Sequence, residues 1–121
     1  MASGKKEKDS DSWEGLLPLT PATFFILFAL AEGEKHGYAI MQQVGELSQG
    51  RFRMGPATLY TTIQRLLDLC LIQEIEGEGD QRRRNYRLTR MGKMVFKAEL
   101  QRMDAVVRLA THHRLQRNEG A

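Results

Sequence analysis

Hydrophobic residues recur with a helical period in four segments of the chain, and this pattern predicts four helices. Thr20 and Pro21 are typical of a helix start, so the apolar run after them predicts a buried helix from Pro21 to about Ala31. The next apolar stripe predicts a second helix from about Gly37 to Ser48. Gly45 lies inside this second helix, at a cost of about 1 kcal/mol relative to alanine, and we interpret it as a position of close helix packing.

A third helix is predicted to begin at Gly55 and Pro56, because proline suits the first helical position. At 100° per residue this helix has an apolar sector and an opposite polar sector. The apolar sector consists of Leu59, Ile63, Leu66, Leu67 and Cys70. The polar sector includes Thr61, Gln64, Arg65 and Asp68, with Thr58 and Tyr60 on opposite flanks.

Two short strands and a long helix complete the pattern. Residues 71–76 and 83–88 have strand character on either side of the turn sequence GEGD, which predicts a β-hairpin. Thr89 is expected to cap a final helix from about Arg90 to Arg114. This helix carries a heptad stripe of Phe96, Leu100, Met103, Val107 and Ala110, and a second apolar strip of Met91, Val95, Ala98, Val106 and Leu109.

The two apolar strips of the final helix predict a homodimer. If one strip covers the domain, the heptad stripe would leave an exposed hydrophobic seam on a monomer, and a second copy would bury that seam. The alternative is that both strips pack on the same domain.

The composition restricts the class of protein. The chain has 121 residues, of which 41% are hydrophobic, which suits one small domain. No apolar segment is long enough to cross a bilayer, and the charged N-terminus lacks the pattern of a signal peptide. The single cysteine, Cys70, favours the reducing cytoplasm. A net charge of +3 and a pI of about 9.2 are compatible with an acidic partner.

The sequence lacks the patterns typical of an enzyme or a metal site. Of the three histidines only His112 and His113 are neighbours, and adjacent helix positions do not share a face. A Gly-rich phosphate loop, an activated nucleophile and a carboxylate pair are also absent from the sequence. We therefore expect no catalytic activity, no metal and no cofactor.

The order of the elements is that of a winged helix-turn-helix, a mainly α fold with a small β-hairpin wing and, here, a C-terminal dimerisation helix. We assign the winged helix-turn-helix to residues 16–89, the dimerisation helix to 90–115, and disordered tails to 1–15 and 116–121. In such folds the third helix enters the DNA major groove, whose base edges Thr, Gln and Arg can read. The alternative for its polar face is an ordinary solvated surface.

A basic segment favours the DNA-binding interpretation. No acidic residue occurs between Arg82 and Lys97, and a basic hairpin can lie along phosphates, although a charged run can also be a solvated face. Tyr38 and Tyr60 are at core edges, where a hydroxyl can reach a phosphate or a ring can simply pack. The predicted DNA-binding residues are Tyr38, Gln42, Thr58, Tyr60, Thr61, Gln64, Arg65, Arg82, Arg83 and Arg84.

Three segments, LTPATFFILFALAEGEKHGYAIMQQV, MGPATLYTTIQRLL and RRRNYRLTRMGK, resemble the PadR family of bacterial transcriptional regulators. The order and spacing of HGY, GPxTLY and YRLTxxG are specific to it. The resemblance implies a dimeric winged-helix repressor, in many members responsive to small molecules, and it puts Tyr38, Thr58 and Tyr60 on the DNA side. Cys70 stands where such helices commonly end in glycine, so a left-handed backbone there would cost roughly 1 kcal/mol.

We therefore predict a cytoplasmic, homodimeric regulator that binds double-stranded DNA as a repressor, with relief by a small-molecule effector as one form of control. The alternative is a winged-helix interaction module whose dimer pocket binds a ligand or a protein, with DNA binding incidental. The basic segment argues against this alternative.

Overall fold

The computed structural model describes residues 14–76 and 84–120, with side chains as far as residue 113. Its elements in chain order are α1 (Pro21–Ala31), β1 (Lys35–His36), α2 (Gly37–Leu47), α3 (Pro56–Asp68), β2 (Ile72–Glu76), β3 (Arg84–Leu88) and α4 (Arg90–Gly120). The first three helices, the start of the last helix and the two hairpin strands lie close to their predicted bounds. In residues 14–76 and 84–120, no helix combines the length and apolar character that a membrane span requires.

The last helix is longer than predicted. It continues past Arg114 to Gly120, so the backbone of residues 116–120 is helical where a disordered tail was expected. Leucine, glutamine and arginine in this stretch are good helix formers, which favours continuation of the helix.

Side-chain caps fix the starts of three helices. The Thr20 hydroxyl accepts a hydrogen bond from the Thr23 N–H at 3.3 Å, and the Thr89 hydroxyl accepts one from the Gly92 N–H at 3.0 Å. Both threonine caps were predicted. At α2 the cap is His36, whose Nδ1 accepts from the Ala39 N–H at 3.3 Å, and this cap was not predicted.

The sheet has a third strand that sequence patterning did not predict. The strand order is β1-β3-β2, all antiparallel, and Lys35 pairs with Tyr86 while His36 pairs with Asn85. A strand of two residues is too short to show an alternation of apolar and polar side chains. It is recognised only by its pairing with another strand. This pairing joins the start of α2 to the wing.

The core forms around α1, which is apolar on nearly all sides. Ile26, Leu27 and Ala29 are fully buried, and Leu59, Ile63 and Leu66 cover them from α3. Tyr86 is 3% exposed, and its ring packs between the wing and the core. The buried side chains of this core are Ile26, Leu27, Ala29, Leu30, Ile40, Val44, Met54, Leu59, Ile63, Leu66, Leu71, Ile72, Tyr86, Leu88 and Val95.

The placement of Cys70 in the apolar sector of the third helix is wrong. The helix ends before it, and Cys70 is exposed with a left-handed φ of 60°. Its N–H donates to the Leu67 carbonyl and the Leu71 N–H donates to the Leu66 carbonyl, both at 3.0 Å, which is a Schellman ending. Because the chain leaves the helical path here, the 100° spacing no longer applies.

The interpretation of Gly45 is also wrong. A Cβ at this position would meet no neighbouring atom within 4 Å, so packing does not require glycine there. Gly92, in the first turn of α4, is the glycine that packing requires. A Cβ on it would overlap the Leu71 carbonyl oxygen and lie 3.0 Å from the carbonyl carbon.

A buried carboxylate joins the segment before α1 to α4. Glu99 is 1% exposed, its Oε2 accepts from the Leu19 N–H at 2.7 Å, and its Oε1 accepts from Arg102 Nε. Burial by itself raises the pKa of Glu99, but the hydrogen bonds from Arg102 and the Leu19 N–H outweigh it, and the pKa is lowered. The carboxylate is therefore held ionised in this position.

The apolar strips of α4 behave differently along its length. Val95 is fully buried, while the Phe96 ring is half-buried, 5.6 Å from the Phe24 ring and 5.5 Å from the Phe28 ring between centroids. Phe96, predicted to belong to a dimer seam, thus also packs on its own domain. From residue 100 onward both strips are exposed, and their large members are Leu100, Met103, Val106, Val107 and Leu109.

Candidate nucleic-acid interface

The outward face of α3 consists of polar side chains that the core does not use. Thr58, Thr61 and Arg65 are exposed, and so is Gln64, whose Nε2 donates to Asp68 Oδ1 at 3.1 Å. No ion pair holds Arg65 in the part of the chain that the structure describes. The hydroxyls, the amide and the guanidinium face solvent, as the helical spacing predicted, and groups of these kinds can bond the edges of bases.

A second set of predicted residues surrounds a depression where α2, α3 and β3 meet. Tyr38 is 59% and Tyr60 is 52% exposed, and both line this depression of about 540 Å³ with Gln42 and Arg84. Four residues from three separate elements therefore meet on one surface. The remaining lining residues are His36, Gly37, Ala39 and Tyr86.

Gly37 of the HGY motif makes room for the Tyr60 ring. A Cβ at Gly37 would lie 2.7 Å from the Tyr60 hydroxyl oxygen and 3.1 Å from two ring carbons. The glycine thus lets the start of α2 approach the recognition face of α3. His36 takes part in this site as the α2 cap and a lining residue, and a polar side chain directly before the helix was the available sequence signal.

Arg84 lies at the wing edge of the same depression. Its Nε is 3.3 Å from Glu74 Oε1 on the paired strand, in an exposed ion pair. Burial raises the pKa of Tyr86, the Glu74 charge adds to this effect, and the charge and hydrogen bond of Arg84 oppose it. The Tyr86 hydroxyl is therefore a neutral hydrogen-bonding group, and Arg84 is the cation that the wing contributes here.

Tyr60 connects the two sets of residues. It lines the depression beside Tyr38 and also a second one formed with Thr61, Gln64 and Arg65. Apart from Thr58, which lines neither depression, the described candidates thus form one continuous strip from α2 across α3. Arg82 and Arg83 lie outside the described residues, so their positions stay a prediction.

Comparison with known protein families assigns this chain to a family. A family model described as the transcriptional regulator PadR-like family matches residues 26–98. This chain belongs to the PadR-like family. The matched range contains all the candidate DNA-binding residues, and the family resemblance read from the sequence motifs is confirmed.

Solved structures of PadR-like regulators share the fold. A PadR family transcription regulator from Clostridium difficile matches with a TM-score of 0.67 at 23% identity, over 78% of this chain and 98% of that one. Bacillus subtilis PadR in complex with operator DNA matches with a TM-score of 0.60 at 24% identity, over 69% of this chain and 47% of that one. The predicted winged helix-turn-helix fold is confirmed.

A curated relative of this PadR-like chain is an uncharacterized 37.1 kDa protein in a transposon of Streptomyces fradiae, 35% identical over 82 residues. That alignment covers 68% of this chain and 23% of the relative. The chain spans less than two thirds of the length of the curated relatives it matches. In the described residues, no group of three His, Cys, Asp or Glu side chains could hold a metal ion.

Proposed function

We propose that this protein is a cytoplasmic, homodimeric repressor that binds operator DNA with α3 in the major groove. The observation that carries the proposal is the exposed face of α3, where Thr58, Thr61, Gln64 and Arg65 have no role in the core. A merely solvated helix face would favour Glu and Lys, and Glu would be repelled by phosphates. The operator complex of Bacillus subtilis PadR, which has the same fold, supports this assignment.

Some residues of the strip contact bases, and others contact the phosphate backbone. Gln64 and Arg65 read base edges, because an amide and a guanidinium can each form two hydrogen bonds with a purine. Tyr38, Gln42 and Tyr60 bond phosphates beside the groove and fix the register of α3. Arg84, with Arg82 and Arg83 of the wing, adds affinity that depends little on sequence.

The homodimer is part of the proposal. The distal half of α4 exposes Leu100, Met103 and Val107, with 42%, 39% and 61% of their surface accessible. An apolar seam of this kind, continuous with the half-buried Phe96, favours a second copy of the chain. Two copies would bring two α3 helices to the two half-sites of a palindromic operator. A small apolar effector that binds between the copies would change their spacing and release the DNA.

The test is affinity for a selected operator and for random-sequence DNA, measured at one fixed salt concentration. Gln64→Ala should cost about 1–3 kcal/mol on the operator and much less on random DNA, because it removes a base contact and no charge. Thr61→Val keeps the shape and removes only a hydroxyl. Gln101→Ala, an exposed glutamine on α4, is the matched control and should bind both DNAs as the wild type does.

Equal losses on the two DNAs for Gln64→Ala and Thr61→Val would mean that α3 binds only backbone. No loss on either DNA would contradict the assignment of α3. If the wild type binds neither DNA but does bind a ligand or a protein, the result would favour the interaction module.

A further inference from the structure

The turn between α2 and α3 places two arginines on the outside of the protein. In the sequence Arg51-Phe52-Arg53-Met54, the arginines are exposed, Phe52 is half-buried and Met54 is 8% exposed. The alternation is that of an extended segment with one side on the core. The sequence pattern alone had indicated only a connection here.

The backbone of this turn is held in place. The Ser48 hydroxyl donates to the Phe52 carbonyl at 2.9 Å, and the Phe52 N–H donates back to the Ser48 oxygen at 3.0 Å. Ser48 is itself 7% exposed, and the Phe52 ring stacks on Phe25 with centroids 5.7 Å apart. Arg51 and Arg53 therefore extend from a fixed backbone, which lowers the entropy lost when they bind a partner.

A groove of about 700 Å³ runs between this turn and the outer face of α2. Gln42, Gly45, Glu46 and Arg53 are among its lining residues. Gln42 also lines the depression beside Tyr38, so the groove continues the candidate interface.

Gly45 is the second observation that indicates a ligand in this groove. Glycine inside a helix costs about 1 kcal/mol relative to alanine, and no packing contact within residues 14–76 and 84–113 requires it. Close approach of a ligand to the helix backbone is a common reason for such a glycine.

Two cations at or beside the groove suit an anion, because Arg53 lines it and Arg51 is on the adjoining turn. Neither Arg51 nor Arg53 forms an ion pair with any residue in the described ranges, and both are exposed. Glu46 is the one acid among the lining residues, and it weakens the attraction without pairing with either arginine. A guanidinium offers two parallel donors to phosphate oxygens, which is the preferred geometry for phosphate recognition.

We propose that this groove binds a backbone phosphate of double-stranded DNA, with Arg53 of its lining and the neighbouring Arg51 of the turn as the cations and Gly45 leaving the space. The inference rests on the proposed DNA-binding function and extends its contact surface from α3 to the turn before it. The contact does not depend on base sequence. It anchors the start of α3 at the edge of the DNA major groove while Gln64 and Arg65 contact bases.

The experiment measures affinity for a random-sequence duplex by fluorescence anisotropy from low to moderate salt. Removal of one arginine–phosphate interaction should lower the salt slope by about 0.9 and weaken binding about fivefold at 0.15 M salt. Arg51→Ala and Arg53→Ala should each have this effect, and the double variant should bind about 25-fold more weakly. Arg108→Ala is the matched control, because Arg108 is an exposed arginine on the distal half of α4, outside both the basic wing and the groove.

Two further variants change the groove without removing an arginine. Glu46→Gln should tighten binding about twofold, because it removes a repulsive charge at the groove. Gly45→Leu should weaken binding about fivefold, since its side chain fills the phosphate space and the open surroundings let the fold tolerate it.

The outcomes separate this inference from the proposed function. If the double variant keeps the wild-type slope and affinity while wild-type protein binds the duplex, the turn does not contact DNA and the inference is overturned. If the wild type binds random DNA, the arginine variants show the expected losses and no operator is preferred, the groove assignment stands. The proposal of sequence-specific regulation then fails. If the wild type binds no DNA, both fail.

Discussion

Replacement of Gly92 by alanine tests how closely the wing and α4 are packed. The added Cβ would overlap the Leu71 carbonyl oxygen, which also accepts the Thr89 N–H at 3.0 Å. The oxygen belongs to backbone and cannot move aside as a flexible side chain would. We therefore expect α4 to shift away from the β2 start and this hydrogen bond to weaken.

The expected change in the free energy of unfolding is the sum of two costs and one gain. Overpacking costs about 1–3 kcal/mol, and the weakened hydrogen bond costs about 0.5–1.5 kcal/mol. Alanine gains about 1 kcal/mol of helix propensity over glycine. The net loss in free energy of unfolding is therefore about 2 kcal/mol, which lowers the Tm by roughly 5–10 °C for a domain of this size.

Gly45→Ala is the matched control, because both glycines lie within helices and gain the same propensity. A Cβ at Gly45 meets nothing within 4 Å, so this variant should be about 0.5–1 kcal/mol more stable than the wild type. The assay is thermal and urea unfolding at one protein concentration, since the proposed dimer would make the Tm concentration-dependent. A Gly92→Ala protein as stable as Gly45→Ala would refute the argument.

Three further changes test other contacts. Cys70→Gly should raise the free energy of unfolding by about 0.5–1 kcal/mol, because relief of the left-handed strain exceeds the extra entropy of unfolded glycine; a lower urea midpoint would contradict this. Glu99 has a lowered folded pKa, so its stabilisation is present above the ordinary value of 4.5 and is lost as the pH falls through the folded pKa. The stability difference between wild type and Glu99→Gln, from urea unfolding, should therefore shrink on acidification, and a constant difference would exclude this role. Leu100→Glu with Met103→Glu should abolish the dimer by placing charges in the seam, and an unchanged sedimentation coefficient would argue against that seam.

The candidate site could be predicted in its components and not in its assembly. The spacing of Thr61, Gln64 and Arg65 put them opposite the apolar sector of α3, and the structure has them exposed. The meeting of Tyr38, Tyr60 and Arg84 around one depression could not be read from spacing, because it depends on the packing of three elements. The arginines of the turn were missed because no regular period passes through a connection.

The helices were determined by the sequence itself, because their signals are local. Threonine caps, prolines at the first helical position and the 3.6-residue period all act within one or two turns of the chain. The tertiary structure decided which residues of those helices contact other elements of the fold. It added β1 opposite β3 and required glycine at Gly92 rather than at Gly45. It also buried Glu99 against the Leu19 N–H. Each of these depends on atoms distant in sequence, and a one-dimensional pattern does not contain the distance between them.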